Sequence, residues 1–223
     1  MIQFQCDYTE GAHESILKRL TETNYEQTIG YGCDDYCEEA RNTIRRVFGV
    51  PDAGVHFLVG GTQANATVIA AALKPYQGVI CASTGHIFVH ETGAIEATSH
   101  KVLAMPTSMG KITAAQVSHY CRAHYANSDR EHEVQPGMVY ISLPTELGTL
   151  YTKAELEALY QVCEEFHMYL FVDGARLGYG LMASDCDITP EFLAAHCDVF
   201  YAGGTKMGAL FGEAIVITNK TLN

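Results

Sequence analysis

TKAELEALYQVCEEFHMYLFVDGARL, residues 152–177, holds a helix, a strand and a carboxylate in one line. Leu156, Leu159, Cys163 and Phe166 recur at helical spacing, and Thr152 stands where an N-cap belongs. The run YLFVD (169–173) is apolar without interruption until it closes on Asp173. A strand with no polar face is buried on both faces, and next to a helix that predicts a parallel sheet covered by helices. The same unit recurs on either side. GVHFLV (54–59) precedes GGTQANATVIAAAL, a turn into a helix. GVICA (78–82), KVLAM (101–105), MVYISL (138–143), DVFYA (198–202) and EAIVIT (213–218) read as strands, and ITAAQVSHYCRAHYA (112–126) as a helix. The polar NSDREHEVQPG (127–137) reads as an exposed loop. Residues 1–45 do not alternate in this way. They hold a helical stretch near 14–22 and the Gly- and acid-rich TIGYGCDDYCEE (28–39), and read as an arm and first helix ahead of a domain over 46–223.

Composition narrows the partners. The chain has 223 residues, 48% hydrophobic and 18% charged, enough for a sizeable core. A net charge of -12 argues against nucleic acid, whose binding rests on clustered Lys and Arg. No apolar run reaches membrane-spanning length, and MIQFQCDYTEGAHES lacks the basic flank and apolar stretch of a signal peptide, so no membrane partner is expected. Eight cysteines form no CxxC pair and several sit in apolar runs, which reads as reduced thiols in a cytoplasmic protein. The ten histidines show no zinc-type spacing with them, so no metal is expected.

In a parallel α/β sheet, ligands sit beyond the carboxyl ends of the strands. Four motifs fall there. VGGTQAN (59–65) puts Gly61 and Thr62 at a strand-to-helix turn, either a simple tight turn or a cradle for a phosphate. FVDGARLGYG (171–180) ends a strand on Asp173, either an N-cap or an anion for a cationic ligand atom. Arg176 follows, able to clasp a carboxylate or to make a structural ion pair. YAGGTKMGALFGEAIVI (201–217) carries Lys206 just past a strand, where an ammonium is costly to desolvate. Lys206 is either a solvated turn residue or a Schiff-base amine. STGHIFVHETGA (83–94) places His86 at a strand-to-helix junction, able to stack on a ring, with His90 on the same face if the segment is helical. A phosphate cradle, a lysine for an aldehyde and a carboxylate for a pyridine nitrogen are together what pyridoxal phosphate requires. The chain has neither GxGxxG nor a P-loop lysine, against a nucleotide-binding α/β protein.

GGTQAN, TGHIFVHETGA, VDGARL and GGTKMGALFGEAIVI, in this order and spacing, resemble the threonine aldolase and β-eliminating lyase group of fold type I pyridoxal-phosphate-dependent enzymes. The likeness runs from the N-terminal arm to about residue 218. It implies an α/β, aspartate aminotransferase-like large domain over 46–223 that binds the cofactor, with a mostly parallel central sheet and helices on both faces. The smaller C-terminal domain that family members carry would be absent from this chain, leaving an incomplete substrate site. It further implies Lys206 as the Schiff-base lysine, Asp173 on the pyridinium nitrogen, His86 stacked on the ring, Gly61 and Thr62 at the phosphate, and Arg176 at the substrate carboxylate or the cofactor. Asp7, in CDYTEGAH, and Tyr31, in YGCDD, would approach the substrate from the arm, Tyr31 in the neighbouring subunit of a homodimer or homotetramer. Where many members have a second histidine, SLPTELG (142–148) has Glu146, which then takes the place of the base. The implied reaction is retro-aldol cleavage of a β-hydroxy amino acid to glycine and an aldehyde. An aminotransferase, a carbon–sulfur β-elimination lyase and a non-catalytic scaffold are the alternatives.

Overall fold

A computed structural model describes residues 3–223. Two helices come first, α1 (Glu14–Thr23) and α2 (Asp35–Phe48). There follow β1 (Gly54–Leu58), α3 (Gly61–Ala72), β2 (Gln77–Ala82), α4 (His86–Val89), β3 (Val102–Met105) and α5 (Ala114–Ala126). The chain continues through β4 (Gln135–Ser142), α6 (Lys153–Glu165), β5 (Tyr169–Asp173), α7 (Leu177–Leu181), α8 (Pro190–Ala195), β6 (Val199–Gly203) and β7 (Glu213–Ile217). The strands form one seven-stranded sheet in the order β1-β7-β6-β5-β4-β2-β3. β2–β3, β2–β4, β4–β5 and β5–β6 pair in parallel. β7 is antiparallel to both β1 and β6, so it alone runs against the others. That reversal matters for the site. The carboxyl ends of six strands and the first residue of β7, Glu213, all meet at one edge.

Alternate residues of the strands feed two apolar layers. Ile80, Val139, Ile141, Leu170, Val172 and Phe200 pack with Leu156, Leu159 and Cys163 of α6 and with Val117 and Cys121 of α5 on one face. Val79, Cys81, Met138, Tyr140, Phe171 and Tyr201 pack with Ala64, Val68 and Ile69 of α3 on the other. Helices therefore cover both faces, as the apolar strand YLFVD required. Thr152 caps α6 through a capping box with Glu155, and Thr113 does the same for α5 with Gln116.

The structure departs from the sequence reading in two places. The loop expected over 127–137 ends early, because β4 begins at Gln135 and Gly78 pairs with Pro136. Pro and Gly mimic a loop there, but a β-bulge at Gly78/Val79 accommodates the proline. Gly137 is needed because a Cβ would meet Leu73 and Gln77 at 2.8–3.0 Å. The acid-rich stretch after residue 28 also enters a fourteen-residue helix, α2, capped by Asp34 and closed by Gly49 in the left-handed region. Its charged residues hid the period: Arg41 and Arg45 reach back to the Val55 and Ala53 carbonyls, so charge as well as apolar surface docks this helix. Among the described residues no helix is long and apolar enough to cross a membrane.

Gly174 lets β5 and β6 close on each other just beyond Asp173. Its carbonyl accepts from the Gly203 N–H at 2.9 Å, and a Cβ there would collide with the Tyr201 carbonyl oxygen. Gly174→Ala should lose about 1–3 kcal/mol of stability in urea unfolding; a loss under about 0.5 kcal/mol would mean that the strand ends splay freely.

Candidate functional site at the carboxyl edge of the sheet

The edge where the six strands end opens into a cavity of about 260 Å³. Five of the six strand ends contribute to it: Gly60, Gly61 and Thr62 after β1, His86 after β2, Ser142 and Glu146 at and after the end of β4, Asp173 at the end of β5, and Thr205 and Lys206 after β6. Seven residues read from the sequence as site candidates, Gly61, Thr62, His86, Glu146, Asp173, Arg176 and Lys206, thus line a single cavity. Asp7 stands beside it on the arm, bonded to Arg176. Tyr31 does not join them. It is fully exposed, with a left-handed backbone, in the segment between α1 and α2.

Asp173 is 5% exposed. Its Oδ2 accepts from Asn65 Nδ2 at 3.2 Å and from the Tyr140 hydroxyl, and its Oδ1 from the Ala175 N–H at 3.0 Å. Burial, followed by the Asp173 charge, pushes the Tyr140 hydroxyl well above its ordinary pKa, so it is a donor at any physiological pH. Among the described residues no Lys, Arg or His side chain pairs with Asp173. A buried carboxylate costs several kcal/mol unless a cation meets it, roughly. Hydrogen bonds orient this one, and its open position faces the cavity.

His86 Nδ1 lies 2.7 Å from Glu91 Oε1, and Glu91 is 3% exposed. The Glu91 hydrogen bond raises the His86 pKa, against an opposing effect of partial burial. Glu146 Oε1 accepts from the His86 main-chain N–H at 2.8 Å and from the Ser142 hydroxyl at 2.6 Å. The α3 N-terminus has Gly60 at its cap with no side-chain cap, which leaves its first N–H groups and positive dipole end for an anion. Lys206 sits in a turn braced from β7: Glu213 accepts from the Thr205 hydroxyl at 2.8 Å and the Gly204 N–H at 3.2 Å. Tyr179 donates to the Lys206 carbonyl at 3.0 Å, and the Lys206 ammonium stands 5.8 Å from the Tyr8 ring centroid.

The arm crosses the mouth of the cavity at two points. The His13 N–H donates to the Gly208 carbonyl at 2.8 Å. Asp7 takes both Arg176 Nε and Nη2, the latter at 3.1 Å, in a forked pair. Partial burial pushes the Asp7 carboxyl up, but the Arg176 hydrogen bond and charge, with Lys206 behind, hold it below the ordinary carboxylate range.

Asn65, Glu91, Tyr140, Tyr8 and Tyr201 were not legible as site residues. Asn65 and Glu91 lie inside the motifs GGTQAN and HETGA, where they read as spacers. An asparagine in the second turn of an otherwise apolar helix was the available signal, because Asn is a poor choice in a helix interior unless its amide has a partner. His90 is exposed, and its ring centroid is 5.5 Å from that of His86 at the end of the single turn α4.

The donor set fits the cofactor expected from the sequence: glycine N–H groups for a phosphate, an uncompensated buried carboxylate for a protonated ring nitrogen, an imidazole at the wall and an amine. Comparison with known proteins agrees. The beta-eliminating lyase family matches residues 3–222. The chain is 33% identical over 222 residues to the low specificity L-threonine aldolase of Pseudomonas aeruginosa, covering 99% of this chain and 63% of that protein. A Leishmania major threonine aldolase structure superposes with a TM-score of 0.94 at 45% identity, covering 97% of this chain and 62% of that one. A Thermus thermophilus aspartate aminotransferase shares the fold at 19% identity, with a TM-score of 0.69, over 96% of this chain and 58% of that one. The chain therefore spans 63% of the length of the two Pseudomonas aldolases it matches.

Asp7 and Arg176 are each more than a third exposed, so water screens them. A double-mutant cycle with Asp7→Asn and Arg176→Gln should give a coupling near or below about 1 kcal/mol at neutral pH. The folded-state pKa of Asp7 is depressed, so this coupling exists above the unfolded value of about 3.9 and fades as pH falls through the lower folded value. A coupling that persists in strong acid would contradict the ion pair.

Proposed function

The chain belongs to the beta-eliminating lyase family, and from that premise we propose that it is a pyridoxal-phosphate-dependent lyase that cleaves β-hydroxy amino acids of the threonine type to glycine and an aldehyde. The observation that carries the reading is Asp173, a buried carboxylate with no counter-cation among the described residues, in one cavity with Lys206 and the open N-terminus of α3. The aldolase relatives support the reaction type. The finer readings belong to the same proposal: residues 46–223 as the cofactor-binding domain behind an arm and first helix, a cytoplasmic homo-oligomer, and Tyr31 acting in a neighbouring subunit.

Gly61, Thr62 and the first N–H groups of α3 would hold the phosphate. Asp173 would hold the ring nitrogen, His86 would lie against the ring and Lys206 would take the aldehyde carbon. When bound, the cofactor supplies an electron sink for a bond broken at the substrate Cα. The rest falls to side chains. Arg176 would take the substrate carboxylate as the exposed Asp7, which now occupies its Nε and Nη2, gives way. Glu146 accepts the β-hydroxyl proton as the bond from Cα to Cβ breaks. Its Oε1 is already engaged by His86 and Ser142, so the proton goes to Oε2. The Lys206 amine carries a proton back to Cα before glycine leaves.

Borohydride added to the chain with pyridoxal phosphate should attach the cofactor irreversibly to the peptide bearing Lys206, read by mass spectrometry. Lys206→Ala should remain unlabelled; labelling at another lysine would sink the assignment. With L-threonine, the products should be glycine and acetaldehyde. A keto acid with aminated cofactor, or a keto acid with ammonia, would indicate transamination or elimination instead. Glu146→Gln should lower kcat by about 100-fold or more while borohydride labelling is unchanged. A kcat within a few fold of wild type would move the base role away from Glu146.

A further inference from the structure

Asn65 and Glu91 are both buried, and neither has a role in the reaction above. Asn65 Nδ2 donates to Glu91 Oε1 at 2.7 Å and to Asp173 Oδ2 at 3.2 Å. The same Glu91 oxygen meets His86 Nδ1 at 2.7 Å. Thus one amide group bridges two buried carboxylates, and one of these holds the imidazole. The remaining atoms, Glu91 Oε2 and Asn65 Oδ1, are buried without a hydrogen-bond partner among the described residues. A carboxylate with half its hydrogen-bonding capacity unmet is costly in the interior, and cheaper when a cation shares its proton. His86 is the ion-pair partner that Glu91 has among the described residues.

We propose that Asn65 and Glu91 are a buried positioning pair that fixes the His86 imidazole by its Nδ1 and ties its orientation to Asp173. Glu91 accepts the Nδ1 proton, so Nε2 is the ring nitrogen left to the cavity, and Asn65 holds Glu91 at a set distance from the Asp173 carboxylate. Asn65 and His86 share one Glu91 oxygen, Oε1, so the Asn65 amide competes with the imidazole for it. The other charged or titratable groups facing His86 are Asp173 at the end of β5, Lys206 in the β6–β7 turn, Glu146 after β4, whose carboxylate takes the His86 main-chain N–H, and His90 at the end of α4. The pair would act on His86 whether or not a cofactor is bound, and its use in catalysis rests on the lyase reading.

The test is a pH titration of the His86 ring nitrogens by heteronuclear NMR in the full 223-residue chain, without cofactor, with His86→Asn to assign the signals. In wild type, His86 should stay protonated to higher pH than an unpaired imidazole and be the Nδ1–H tautomer when neutral. Glu91→Gln should bring its titration back towards the unpaired value. Asn65→Ala should move it the opposite way, to still higher pH, because Glu91 Oε1 is then left to the His86 Nδ1 proton alone. A role in packing alone would not give shifts of opposite sign. If folded Glu91→Gln leaves the titration unchanged, or if Asn65→Ala shifts it downward, the proposal is overturned. If Glu91→Gln does not fold, as judged by near-ultraviolet circular dichroism, the sign of the Asn65→Ala shift decides alone. Because no cofactor is present, borohydride labelling can fail, overturning the lyase reading, while these shifts stand, and the reverse holds equally.

Discussion

Asp173 stands at the end of the central strand β5, 5% exposed, with hydrogen bonds from Asn65, Tyr140 and Ala175 but no ion-pair partner among the described residues. Burying that carboxylate makes demands on the structure around it. The neighbouring strand must supply a hydroxyl that stays protonated, which the fully buried Tyr140 on β4 does. The helix over the same face must supply an amide, which Asn65 on α3 does. The chain must also turn immediately, and Gly174 permits the approach of β6 that a side chain would block. The helix, the two strands and the turn are thus coupled through one charge.

The direction of the strands converts this constraint into a site. Parallel pairing sends every strand-to-helix junction to the same edge, so residues as distant in sequence as Gly61 and Lys206 converge. The reversed β7 contributes differently. It returns the chain so that Glu213, its first residue, reaches this edge and accepts from Thr205 and Gly204. The Lys206 turn is therefore held by hydrogen bonds to a strand, which fixes the backbone that carries its amine. The arm adds a looser layer. Asp7, Tyr8 and His13 touch Arg176, Lys206 and Gly208 at the mouth, with exposed side chains that water can replace at little cost.

The polar interior at the edge is stabilised in pairs. Glu91 and His86 share a short hydrogen bond, Glu146 is held by His86 and Ser142, and Asn65 joins the first group to Asp173. Such networks are costly when half satisfied, and two atoms here, Asn65 Oδ1 and Glu91 Oε2, have no partner among the described residues. Unmet polarity at a ligand cavity, beside packed layers that carry the stability, is the usual division between a scaffold and its site.

The amino-acid sequence alone determined the strands, helices α3, α5 and α6 that cover them, and the edge on which the candidate site falls. Apolar runs such as YLFVD and the period of residues 152–167 are local signals, and parallel topology follows from their alternation. Asp173, His86, Arg176 and Lys206 could be picked out because each follows a strand, and position along the chain is enough to place a residue at that edge. What tertiary structure decided is which of them meet, and through what. Helix α2 was hidden because its arginines dock on carbonyls of β1 and its preceding turn, a contact with no periodic trace. Tyr31, expected from the sequence in the site of a neighbouring subunit, is exposed between α1 and α2 of this chain. Asn65 and Glu91 are 26 residues apart, and Asn65 and Asp173 are 108 apart. A hydrogen bond depends on distances of a few tenths of an ångström and on direction, and neither is written in spacing along the chain.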